Sequence, residues 1–163
     1  MTTYYVDSSA LVKRYVNEIG SNWVQTLCDP AARHVLALAH IGRVEVAAAL
    51  DIKERQGILP TKIRDALIHD LEQDARHQYW LIDVDHAIVT QAIALTRRQK
   101  LRGYDAVHLA AALFLQTTLM TQGLLPPILV SADTELLTAA EAEGLTVENP
   151  HNHPNDPSLP ALP

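Results

Sequence analysis

The strongest constraint on this chain lies almost at its start. Thr3 to Val6 are β-formers that run into Asp7 and then straight into a helical pattern. Ser8 and Ser9 can cap that helix. Ala10, Leu11, Val12 and Tyr15 recur at helical spacing, which predicts a buried stripe with Lys13 and Arg14 turned outward. A strand followed at once by a helix leaves Asp7 at the carboxyl end of the strand. In open α/β sheets that end is where ligands bind.

The alternation continues along the chain. Apolar runs at 35–39, 79–84, 128–131 and 145–148 fit short buried strands. Helical patterns lie between them. Ser21 caps one at 22–27, and a second opens at His40 or Ile41 and stops at Gly57. A third runs from Thr61 to about His77, and Asp85 caps a fourth at 86–100. Asp105 opens a very apolar helix at 106–115, and Asp133 starts a last one that ends at Gly144. Strands alternating with helices predict an α/β fold of three layers, α/β/α, around a central, mainly parallel sheet. The length of 163 residues fits one domain, placed at 1–149. The remainder, 150–163, is Pro-rich and has no period, which predicts a disordered tail in which His151 and His153 could bind a metal only weakly.

Composition narrows the function classes. No apolar run approaches the roughly 18 residues of a membrane span. The N-terminus lacks the pattern of a secretory signal, so the expected compartment is the cytoplasm. Cys28 is the only cysteine, which excludes an internal disulfide and a multi-cysteine zinc site. There is no Gly-rich phosphate loop leading to a Lys-Ser or Lys-Thr pair, and no nucleophile elbow around a serine. The formal net charge of −6 argues against non-specific nucleic-acid binding, unless the acids are gathered around a cation.

Some acids fall at special places. Asp7 and Asp133 each follow a strand, and Asp105 opens a helix after Gly103. Glu45 lies inside a helix among Val44, Val46 and Ala47-Ala48-Ala49. A carboxylate in such company needs a cation: Arg43 or Lys53, a metal, or a proton. Taken singly, Asp105 and Asp133 can each be a helix N-cap, as Asp85 is read to be. Taken together, the four acids suit a hard divalent cation such as Mg²⁺ or Mn²⁺, with Ser9 or Ser131 orienting a carboxylate or a water. His108 follows Asp105 on one helix face and is read as a histidine of the core or one supporting the acids, ahead of a base or a ligand.

Four segments in order carry a family resemblance. They are Val6-Asp7-Ser8-Ser9-Ala10-Leu11-Val12-Lys13, Val44-Glu45-Val46-Ala47-Ala48-Ala49-Leu50, Gly103-Tyr104-Asp105-Ala106-Val107-His108-Leu109-Ala110-Ala111-Ala112 and Val130-Ser131-Ala132-Asp133-Thr134-Glu135-Leu136. Together they resemble the PIN-domain family, and within it the VapC-type toxins of bacterial toxin–antitoxin modules. The resemblance implies an endoribonuclease that depends on Mg²⁺ or Mn²⁺, with Asp7 and Asp105 as the main metal ligands and Glu45 and Asp133 completing the acidic pocket. It also implies an RNA substrate, a VapB-like antitoxin partner and a homodimer. Lys13, Arg14, Arg97, Arg98, Lys100 and Arg102 are candidates to hold the RNA backbone. Two other readings remain: a PIN-like binding module without catalysis, and a phosphohydrolase of the haloacid-dehalogenase type. The second lacks its other acid, because Ser8 and Ser9 follow Asp7.

Overall fold

The structure, a computed structural model, describes residues 1–158. Strands β1 (Thr3–Val6), β2 (Val35–Ala39), β3 (Tyr79–Ile82), β4 (Ile128–Val130) and β5 (Thr146–Glu148) form an all-parallel sheet in the order β3-β2-β1-β4-β5. Among the described residues seven α-helices surround it: α1 (Ser8–Leu11), α2 (Ser21–Cys28), α3 (His40–Arg55), α4 (Thr61–His77), α5 (His86–Arg98), α6 (Gly103–Thr121) and α7 (Thr134–Ala142). The expected three-layer architecture is present.

Side chains alternate across the strands and so sort the helices into two layers. Tyr5, Ala37, Ala39 and Leu129 pack with α5, α6 and α7. Val6, Leu36, Leu38 and Val130 pack with α1, α2, α3 and α4 on the other face. A sheet buried on both faces explains why its strands read as unbroken apolar runs. The sheet grows outward from β1 to β2 and β3, then crosses back to β4 on the other side. The reversal lies between β1 and β4, which makes a crevice at their carboxyl ends. Asp7 stands there, its amide still donating to the Val130 carbonyl at 3.0 Å.

Several local expectations need correction. α1 is short and passes into a 3-10 turn over Val12–Arg14. The tighter winding turns Lys13 inward instead of outward. It is buried, with its ammonium 3.0 Å from Glu18 Oε2. Arg14 is held between Tyr15 and Tyr79 and pairs with Asp74 at 3.0 Å. α6 starts at Gly103 and continues to Thr121, past the expected end at 115, and Leu119 in its added length is buried.

Nor does the chain become disordered at Pro150. Pro150–Asn152 is a 3-10 turn with Pro150 buried, and the His153 ring stacks on Trp23 at 4.3 Å. Asn155 accepts from the Asn22 amide at 3.1 Å and donates to the Glu18 carbonyl at 2.7 Å. This strap needs Gly20, whose φ is +87° and where a Cβ would lie 2.2 Å from the Pro150 oxygen. Residues 159–163 of the expected tail lie outside the described residues. Among the described residues no helix is long and apolar enough to cross a membrane.

Candidate active site

Asp7 is both the end of β1 and the N-cap of α1, where its Oδ1 accepts from the Ala10 amide at 3.0 Å. Two serines hold the rest of the carboxylate. Ser9 Oγ donates to Oδ1 at 2.8 Å and stands 3.1 Å from Oδ2; Ser131 Oγ donates to Oδ2 at 2.9 Å. Each hydroxyl in turn accepts a backbone amide from the turn after β4, Ala132 onto Ser9 at 2.9 Å and Asp133 onto Ser131 at 3.0 Å. A hydroxyl that accepts from an amide has its hydrogen left for the carboxylate. The orienting role read for Ser9 and Ser131 is therefore what the structure places at Asp7. Asp7 is 3% exposed, and no Lys or Arg pairs with it among the described residues. Burial holds its carboxyl above the ordinary range, while His108 and the hydrogen bonds from Ser9, Ala10 and Ser131 oppose this.

Glu45 comes from α3, and neither Arg43 nor Lys53 is its partner. Arg43 pairs with Glu72, and Lys53 pairs with Glu18 at 2.9 Å. Instead, Glu45 Oε2 meets His108 Nε2 of α6 at 2.5 Å. The other ring nitrogen, Nδ1, is 2.8 Å from the Tyr5 hydroxyl. His108 is 1% exposed. Burial pushes its imidazole down, but the Glu45 hydrogen bond and the charges of Asp7, Glu45 and Asp105 outweigh that, and it sits above its ordinary value.

Asp105 is not the cap of α6, which starts two residues earlier at Gly103; it lies in the first turn. Its half-buried carboxyl is raised by burial and then by Asp133 and Glu45, against the pull of His108 and Arg102. Asp133 is the N-cap of α7, accepting from Glu135 at 2.8 Å and Leu136 at 3.2 Å. The four acids thus stand within electrostatic reach of His108 or of one another at the carboxyl end of the sheet. A cavity of about 560 Å³ opens beside two of them, lined by Glu45, Arg102, Gly103, Tyr104, Asp105 and Val107.

Of the basic residues named from the sequence, Arg102 alone lines that cavity. Lys13 and Arg14 are committed to Glu18 and Asp74, and Arg98 pairs with Glu143 at 2.7 Å. Lys100 borders a separate cavity near α7. Tyr5 and Tyr104 carried no signal as site residues. Tyr5 reads as a strand residue, and Tyr104 reads as part of a loop.

Among the described residues, no three His, Cys, Asp or Glu side chains stand close enough together to form a ready-made metal cage. The donor set nevertheless suits a hard divalent cation. It offers carboxylate oxygens whose charges repel one another, and a Mg²⁺-type ion needs only one or two of them beside its own waters and a phosphate.

No protein-family model matches the chain. It is 32% identical over 155 residues to Ribonuclease VapC45 of Mycobacterium tuberculosis strain CDC 1551 / Oshkosh, covering 90% of this chain and 95% of that protein. The same figures hold for Ribonuclease VapC49 of strain H37Rv. In structure it is similar to PAE2754 of Pyrobaculum aerophilum, with a TM-score of 0.61, 20% identity, and coverage of 90% of this chain and 89% of that one. FitAcB of Neisseria gonorrhoeae gives a TM-score of 0.58 at 16% identity, over 90% and 97% of the two chains. VapBC2 of Rickettsia felis, solved bound to a DNA fragment from their promoter, gives 0.58 at 12% identity over 91% and 98%. These structural likenesses carry the fold, and the sequence relatives carry the family. The chain belongs to the VapC ribonuclease family, the PIN-domain group that its four acidic segments resemble.

Proposed function

We propose that this protein is a divalent-metal-dependent endoribonuclease toxin, silenced by a VapB-like antitoxin. The observation that carries the reading is Asp7: a buried carboxylate at the switch point of the sheet, fixed by two serines and paired with no Lys or Arg among the described residues. Burying such a charge is costly unless a cation meets it there. Asp7 and Asp105 would hold a Mg²⁺ or Mn²⁺ ion, with Glu45 and Asp133 completing the acidic set. The ion would activate a water and neutralise charge on the phosphodiester. Ser9 and Ser131 fix the Asp7 carboxylate so that it does not have to reorganise during reaction. Arg102, at the rim, is placed to hold a backbone phosphate that the net charge of −6 would otherwise repel.

The relatives named ribonuclease support RNA as the substrate. The VapBC2 neighbour supports a two-part toxin–antitoxin assembly. A homodimer and a cytoplasmic location belong to the same reading, with residues 1–149 as the nuclease unit. The experiment is RNA cleavage with Mg²⁺ present. Wild type cuts, and Asp7→Asn and Asp105→Asn, still folded, lose about 10²-fold or more in rate. Wild-type rates in either folded variant would remove the metal assignment.

An inert binding module makes the opposite prediction. Divalent-ion uptake by the wild type separates the two readings, since the inert module takes up none.

A further inference from the structure

Glu45 belongs to the helical layer on one face of the sheet, and His108 to the layer on the other. Their contact at 2.5 Å joins α3 to α6 at the carboxyl end of the sheet. The carboxylate of Glu45 can only accept, so Nε2 of His108 carries the hydrogen. That leaves Nδ1 to the Tyr5 hydroxyl, 2.8 Å away on the central strand β1. α3 comes close to this ring, since a Cβ on Gly42 would lie 3.5 Å from His108 Cε1. Tyr5 and His108 are both fully buried, whereas the Glu45 side chain is 25% exposed and lines the 560 Å³ cavity. His108 takes only Oε2; Oε1 has no hydrogen-bond partner among the described residues.

A glutamate side chain has several rotatable bonds and swings freely unless something holds one of its oxygens. Here a strand residue holds a ring, and the ring holds the carboxylate. We propose that Tyr5 and His108 are positioning residues that fix Glu45 with its free oxygen turned to the cavity, where a divalent ion and the RNA phosphate would meet it. The inference rests on the nuclease reading above. It assigns Tyr5, a residue that touches neither ion nor RNA, a part in setting metal affinity and turnover. Second partners of this kind typically change metal affinity by about 10–100-fold when removed.

The experiment compares wild type, Tyr5→Phe, His108→Gln and His108→Leu. It reads Mn²⁺ uptake by electron paramagnetic resonance, RNA cleavage, and the unfolding midpoint in EDTA. Tyr5→Phe keeps the ring in place and is expected to stay folded, to bind Mn²⁺ about tenfold more weakly, and to lose kcat while KM changes little. His108→Gln retains an N–H near the position of Nε2 and is expected to fall between wild type and His108→Leu in both Mn²⁺ affinity and kcat. In metal-free wild type, the buried Nε2 hydrogen should give a downfield proton resonance that Glu45→Gln shifts. Wild-type Mn²⁺ affinity and kcat in folded Tyr5→Phe overturn the proposal. So do equal losses in His108→Gln and His108→Leu, which would mark His108 as scaffold alone. If His108→Leu does not fold, Tyr5→Phe and His108→Gln decide. A wild type that takes up no Mn²⁺ and cuts no RNA brings down the nuclease reading and this inference with it. A wild type that does both, with indifferent variants, brings down this inference alone.

Discussion

Ser131 donates its hydroxyl hydrogen to Asp7 Oδ2 at 2.9 Å, although the two residues are 124 positions apart in the chain. The contact exists because β1 and β4 are parallel neighbours whose carboxyl ends are level, with Val6 paired to Val130. The same hydroxyl accepts the Asp133 amide at 3.0 Å, so Ser131 links two of the four acids. Ser131→Ala should therefore remove two hydrogen bonds at a fully buried position. The expected loss of stability is about 1–3 kcal/mol in urea unfolding. A variant as stable as the wild type would mean that the serine does not restrain Asp7.

Asp7→Asn is expected to do the reverse in the absence of metal. Native Asp7 holds its proton above the ordinary value of 3.8. At pH values between that and its raised native value, the folded state binds more protons than the unfolded one. Stability then falls as pH rises through that window, by at most about 1.4 kcal/mol per pH unit from this group. Asp105, raised from the same ordinary value, acts in the same direction. His108 agrees in sign: its charge stabilises below the ordinary 6.5, and that contribution is lost as pH rises through its higher native value. Calorimetry in EDTA should show Asp7→Asn more stable than wild type at neutral pH, on the order of 1–2 kcal/mol. It should also show a shallower decline from acid toward neutral. A destabilised variant would contradict a net cost of the Asp7 charge in the metal-free fold.

Gly20 is expected to tolerate no side chain. A Cβ would lie 2.2 Å from the Pro150 carbonyl oxygen, and the φ of +87° is itself unfavourable for other residues. Gly20→Ala should cost about 2–4 kcal/mol in the whole chain. In a chain ending at Asn149 the clash is gone, and the difference should shrink to about 1 kcal/mol of backbone strain. Equal losses in the two chains would show that 150–155 does not pack against the Gly20 turn.

Much of this was legible in the sequence, and the parts that were not share a cause. Asp7 could be placed because its strand and its helix are contiguous, so the junction is a local fact. Glu45 stood out because a lone carboxylate among alanines and valines demands a partner. The identity of that partner could not be read, because it depends on α3 and α6 meeting across the sheet. His108 looks like any buried histidine until Tyr5 and Glu45 are seen on its two nitrogens. Strand alternation implied a parallel sheet, but not that β4 would return to the far side of β1. The strap at 150–155 was missed because it is held by one stacked histidine and one asparagine, not by an apolar stripe. Lys13 was misplaced because a 3-10 turn breaks the helical period at that residue.

Cys28 should be inert in the native protein. It is 3% exposed, and burial pushes its thiol up to about 11, against a smaller opposing pull from Arg14. Thiolate is the reactive form, so alkylation at mildly alkaline pH should be more than about tenfold slower in the folded chain than in urea. Equal rates would indicate that α2 opens readily.

The most direct measurement on the central claim is anomalous scattering from crystals soaked in Mn²⁺. The account predicts an ion at the carboxyl end of the sheet, bound by oxygens of Asp7 and Asp105, with Glu45 and Asp133 facing it. An ion bound elsewhere and none at these carboxylates would contradict it.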